Sequence, residues 1–115
     1  MLDDIQVLER RDSEGTLGAT AQQCSQARLP VEVLLPEHDG RELTKVVVAG
    51  MGGSALAAKL AKTWLDSELN MPFEIVSDYV LPTYVDYNTL VILSSCSGNT
   101  EETIACFSDA QKQFA

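Results

Sequence analysis

Basic residues are scarce in this chain. Lys and Arg number 8 against 17 Asp and Glu, giving a formal net charge of -9. A polyanion such as DNA or RNA would meet net repulsion, so nucleic acid is not an expected partner. Histidine occurs once, as His38, and the three cysteines (Cys24, Cys96 and Cys106) show no C-x-x-C spacing. A single histidine without a cysteine cluster excludes the usual structural metal site, so no metal is expected. The odd cysteine count argues against a disulfide framework and for reduced thiols in the cytoplasm. No apolar run is long enough to cross a bilayer. Met1-Leu2-Asp3-Asp4 is acidic and lacks the basic-then-apolar order of a signal peptide. The 115 residues, 45% hydrophobic and 22% charged, suit at most one soluble domain with a small core.

What is present falls into two parts. Residues 1–43 read as a helical lead-in and linker. Leu2, Ile5, Val7 and Leu8 give one apolar helix face up to about Arg10, and Asp12 to Gly15 breaks it. A weaker helix is expected from Thr16 to Ala27. Pro30 and Pro36 bracket an extended stretch in which Val31, Val33 and Leu35 alternate. His38 reads as a solvated loop residue.

Residues 44–115 change character. Thr44 to Ala49 and Thr89 to Ser94 are apolar and β-branched without alternation, as in strands of a parallel sheet covered on both faces. Phe73 to Val76 is a third candidate strand, and Ser77 to Asn88 a long loop. Between them, Leu56, Leu60 and Trp64 form a stripe, flanked by Ala57, Ala61 and Leu65, expected to pack a helix on the sheet. Asn70-Met71-Pro72 ends that helix. Asn99 to Glu102 matches a capping box opening a final helix, one side of which carries Ile104, Phe107 and Gln111. The pattern predicts an α/β fold: a partial, doubly wound, flavodoxin-like parallel sheet. In that order the Thr89–Ser94 strand lies on an unprotected edge. Such an edge implies self-association or a missing C-terminal portion.

The chemistry concentrates where two strands end. Val46-Val47-Val48-Ala49 runs into Gly50-Met51-Gly52-Gly53-Ser54, and Leu90-Val91-Ile92-Leu93 into Ser94-Ser95-Cys96-Ser97-Gly98-Asn99-Thr100. Each is followed by a helix start, whose unpaired N–H groups and aligned dipoles favour an anion. Taken alone, Gly50, Gly52 and Ala55 fit the G-x-G-x-x-A dinucleotide fingerprint, with Asp78 as the ribose-binding acid. Close packing of helix on strand would also explain the glycines. The second turn shifts the balance. Ser95, Ser97 and Thr100 place three hydroxyls around one helix start, matching the three terminal oxygens of a phosphate monoester. Helix capping explains one or two of them, but not the whole run together with Ser54.

These two runs resemble the sugar isomerase (SIS) domain, and more narrowly the N-terminal portion of the bifunctional phosphoglucose/phosphomannose isomerases. The resemblance implies that Gly53, Ser54, Ser95, Ser97 and Thr100 bind the phosphate of a hexose 6-phosphate. It implies an enzyme of carbohydrate metabolism (glycolysis and gluconeogenesis) interconverting glucose 6-phosphate or mannose 6-phosphate with fructose 6-phosphate, without a cofactor. Residues 44–115 would form the first half of an SIS domain. The family's catalytic base, ring-opening histidine and basic catalytic residues have no counterpart before Ala115, so no catalytic residue is expected here and the chain alone should be inactive. Cys96 stands where many relatives carry a larger, often aromatic, residue, and is read as a structural thiol. The alternatives are a non-catalytic sugar-phosphate-sensing SIS module and, further off, a dinucleotide-binding domain.

Overall fold

The computed structural model describes residues 4–26, 28–30, 32, 34 and 39–114. The chain divides into two compact units, Met1–Glu37 and His38–Ala115. The first holds α1 (Ile5–Arg11), α2 (Thr16–Ala21) and α3 (Gln23–Gln26). Asp4 caps α1 by accepting from the Gln6 N–H at 3.1 Å. Asp12 closes α1 and opens α2: its carboxylate accepts from the N–H groups of Thr16 and Leu17 at 2.7 and 2.9 Å. The single helix expected from Thr16 is thus interrupted at Gln22. The alternating positions Val31, Val33 and Leu35, together with Leu2 and His38, lie outside the described residues.

The second unit carries β1 (Lys45–Gly50), α4 (Gly53–Leu65), β2 (Phe73–Val76), β3 (Thr89–Ser94) and α5 (Glu101–Phe114). The strands form a parallel sheet in the order β2-β1-β3, with Val46 opposite Phe73 on one side and Leu90 on the other. This is the expected partial doubly wound sheet. β1 is central, and its Val46–Gly50 stretch is wholly buried, as a strand covered on both faces must be. Alternate residues serve opposite layers. Val46 and Val48 pack with Ala58 of α4 and with Met71, Phe73 and Ile75. Val47 and Ala49 pack with Cys106 and Ala110 of α5 and with Leu81 and Val85. The two helices therefore cover opposite faces.

Both helices turn a different side to the sheet than the largest residues suggested. In α4 the buried residues are Ala55 and Ala58, small enough to let helix and strands approach closely. Leu56, Leu60 and Trp64 point outward, Trp64 with 81% of its surface exposed. In α5 the buried positions are Thr103, Cys106 and Ala110, while Ile104 and Phe107 are about half exposed. β3 departs in the same direction. Thr89 is buried, but Leu90 and Ile92, which share the face of Val46 and Val48, are exposed. α4 lies over β1 and β2 and leaves that part of β3 uncovered.

The connection from β2 to β3 does the work of a helix without being one. Leu81 and Val85 enter the core, and the Leu81 N–H donates to Asp109 of α5 at 3.1 Å. At its far end Lys45 donates to the Tyr84 carbonyl and pairs with Asp86 at 2.7 Å. Arg41 lies over the Tyr87 ring, 4.7 Å from its centre. Tyr84 donates to Glu74; partial desolvation, then this carboxylate, push its phenol up to about 12.

This assignment of faces is checked by two truncations. Leu81→Ala empties a site only 2% exposed and is expected to cost about 2–5 kcal/mol. Leu60→Ala, on the outer side of α4, should change the stability of this chain by no more than about 0.5 kcal/mol. Urea denaturation of both variants measures the difference.

Candidate functional site

β1, β2 and β3 run parallel, so the turns that follow them gather at the carboxyl end of the sheet. Gly50 and Ser94 are partners in register at the ends of β1 and β3. From there the chain leaves toward α4 on one face and α5 on the other. That divergence opens the crevice in which open α/β sheets bind ligands.

The second turn brings its three hydroxyls together as expected. Ser95 Oγ lies 2.9 Å from Thr100 Oγ1, and Ser97 Oγ lies 3.5 Å from each of them. Two backbone N–H groups converge on the same cluster, Gly98 donating to Ser95 Oγ at 3.0 Å and Asn99 to Ser97 Oγ at 3.2 Å. Gly98 makes this possible: its φ of 71° lies in the left-handed region that a side chain disfavours. The hydroxyl hydrogens rotate freely about their C–O bonds, so each can redirect to an acceptor placed above the triangle.

α5 starts one residue later than a cap at Asn99 requires. Thr100 holds the capping position, its carbonyl accepting from the Ile104 N–H at 3.0 Å. Glu102 lies beside the phenol of Tyr79, together with Glu101. The negative charge of Glu102, then desolvation and the charge of Glu101, raise the Tyr79 pKa. Cys96 is exposed on this turn, whereas the buried thiol is Cys106, which donates to the Asp78 carbonyl at 3.2 Å. Desolvation, then Asp109 and Asp78, raise the Cys106 pKa.

The first turn places Gly53 and Ser54 at the start of α4, with the Ser54 N–H donating to the Met51 carbonyl at 3.0 Å. It is joined directly to the second strand end. Ser94 Oγ donates to the Ser54 carbonyl at 3.1 Å. A Cβ on Gly50 would meet the Ser94 carbonyl oxygen at 2.9 Å, so only glycine fits this approach. Ser77, just past β2, donates to the Gly50 carbonyl at 2.7 Å. Gly53, Ser54, Ser95, Ser97 and Thr100 thus occupy adjoining turns at the carboxyl end of the sheet. Ser94 and Ser77 were not marked by the sequence pattern: one reads as the last residue of a strand, the other as the first of a loop. Asp78, the acid of the dinucleotide alternative, follows on the β2 side, where its carboxylate accepts from the Tyr79 N–H at 2.6 Å. Among the described residues no group of His, Cys, Asp and Glu is arranged to hold a metal ion.

The Tyr79 environment gives a pH-dependent signal. The folded pKa is raised, so stability linked to the phenol is fully present below pH 10.0 and is lost as pH rises through the higher value. In an absorbance titration of the phenolates, Glu102→Gln should move the Tyr79 midpoint back toward 10.0. An unmoved midpoint would place the cause elsewhere.

Comparison with known proteins adds an independent finding. The chain is 46% identical over 74 residues to a bifunctional phosphoglucose/phosphomannose isomerase of Caldicellulosiruptor bescii, covering 64% of this chain and 22% of that protein. Its counterpart in Aquifex aeolicus is 46% identical over 66 residues, 56% of this chain and 21% of the relative. That of Thermoplasma volcanium is 44% identical over 71 residues, 62% and 22% respectively. The chain matches about a fifth of the length of each of these relatives. No family model matches the chain, and no solved structure does.

Proposed function

We propose that this chain, a relative of the bifunctional phosphoglucose/phosphomannose isomerases over about three fifths of its length, is the phosphate-anchoring part of such an isomerase. Residues 1–43 form its lead-in, and residues 44–115 form the first half of an SIS domain. The observation that carries the reading is the hydroxyl triangle of Ser95, Ser97 and Thr100, on a turn joined to Gly53 and Ser54 through Ser94. The 6-phosphate of a hexose would accept from these hydroxyls and from the backbone at the two helix starts.

An anchor of this kind serves an aldose–ketose isomerisation without touching the reacting carbons. Binding energy from the remote phosphate orients C1 and C2 against a carboxylate supplied by the rest of the protein, which moves a proton between them through an enediol. Phosphate binding at the positive ends of α4 and α5 needs no metal and no organic cofactor. The net charge of -9 does not oppose it, because the donors act locally. Among the described residues β3 is an edge strand, with Leu90 and Ile92 exposed beside it, which accords with a sheet continued by further polypeptide or by self-association. The protein is proposed to work in the cytoplasm.

Two measurements test the proposal. Glucose 6-phosphate or mannose 6-phosphate, but not NAD, should raise the Tm of the chain, and replacing Ser95, Ser97 or Thr100 by Ala should weaken binding by roughly tenfold each. Stabilisation by NAD alone would favour a dinucleotide site. The chain by itself should show no isomerase activity in a coupled assay, and robust turnover would overturn the assignment of the reacting groups to the rest of the protein.

A further inference from the structure

Ser94 is absent from the set of phosphate contacts, yet it makes the side-chain bond that joins the two strand ends carrying them. Its hydroxyl donates to the Ser54 carbonyl at 3.1 Å, across 40 residues of chain. We infer that Ser94 is a positioning residue for the anion site: acting through Ser54, it sets the first turn of α4 at a fixed offset from the hydroxyl triangle of the second turn. The inference rests on the phosphate-anchor reading and adds to it a residue that acts on the anion only indirectly.

Three features of the surroundings give the bond this role. The backbones of β1 and β3 already meet at this level, Gly50 opposite Ser94, so close that a Cβ on Gly50 would lie 2.9 Å from the Ser94 carbonyl oxygen and 3.3 Å from the Ser94 Cβ. The Ser94 Cβ is therefore held beside Gly50, and its hydroxyl is directed to the Ser54 carbonyl. Ser77 grips the Gly50 carbonyl from the β2 side at 2.7 Å. A line of contacts, Ser77 to Gly50 to Ser94 to Ser54, thus crosses the ends of all three strands and finishes at a residue proposed to touch phosphate. The neighbour of Ser94 in sequence, Ser95, belongs to the triangle itself. One residue pair, Ser94-Ser95, thereby links both halves of the cradle: the first serine to Ser54 and the second to Thr100. At oriented sites a misplacement of about 1 Å can cost on the order of 10²-fold in rate, so the offset between the two turns matters.

The test uses the 115-residue chain, titrated calorimetrically with glucose 6-phosphate, with Tm measured separately. Ser94→Ala is expected to bind roughly tenfold more weakly, with a Tm close to that of the parent. Ser94→Thr, which keeps the hydroxyl, is expected to restore most of the affinity. Parent-like binding by Ser94→Ala would overturn the inference, and so would a Ser94→Thr variant as weak as Ser94→Ala. If the parent chain does not bind glucose 6-phosphate at all, the anchor reading fails, and the positioning role is decided on the free chain. Backbone amide resonances of residues 52–55 that move in Ser94→Ala but not in Ser94→Thr would sustain it, and unmoved resonances would sink it.

Discussion

The closeness of β1 and β3 at their last residues is the constraint from which the rest of the sheet's carboxyl end follows. Gly50 lacks a side chain where the Ser94 carbonyl leaves no room for one. Because the two backbones meet there, the turns that leave them start from neighbouring points and their hydroxyl and amide groups converge. A larger residue at Gly50 would have to move one strand end, and the first turn would move with it. The buried valines of β1 fix the strand laterally, but this contact decides what stands beside what at its end.

The connection between β2 and β3 completes the arrangement. It runs along the α5 face, places Leu81 and Val85 in the core, and is fastened at both ends. Ser77 ties its beginning to Gly50, and the Asn88 carbonyl accepts from the Thr44 N–H at 2.9 Å at its close. Side-chain anchors at Lys45 and Arg41 hold the middle and far parts. A segment without regular structure can thereby substitute for a covering helix. Its hydrogen bonds go partly to its neighbours, as from Leu81 to Asp109, and partly to itself, as from Val85 to the Pro82 carbonyl and from Asn88 to Asp86.

Much of this was legible in the residues. Apolar, β-branched runs without alternation placed β1 and β3, Phe73 to Val76 was a further candidate strand, and the clustering of Ser95, Ser97 and Thr100 beside Gly98 marked the second turn. The helix faces were not legible. A stripe of Leu56, Leu60 and Trp64 has the spacing of a buried face, and pattern reading favours the largest apolar side chains. The sheet instead takes Ala55 and Ala58, because a close helix–strand approach rewards small residues. The same preference selects Thr103, Cys106 and Ala110 over Ile104 and Phe107 in α5. Periodicity identifies a face; it does not say which of two apolar faces meets the sheet. Ser94 and Ser77 escaped notice for another reason. Their role comes from strand register, and register is a relation between distant segments that no local pattern carries.

The outward orientation of Trp64 has a spectroscopic consequence. It is the chain's single tryptophan, and it sits on the far side of α4 from the core, four-fifths exposed. Its indole emission should lie near that of a fully hydrated ring even in the folded state, and should change little as the sheet comes apart. The same fluorophore would shift to the blue as soon as another surface settled on α4, which makes it a built-in reporter of the molecule's outer layer rather than of its interior.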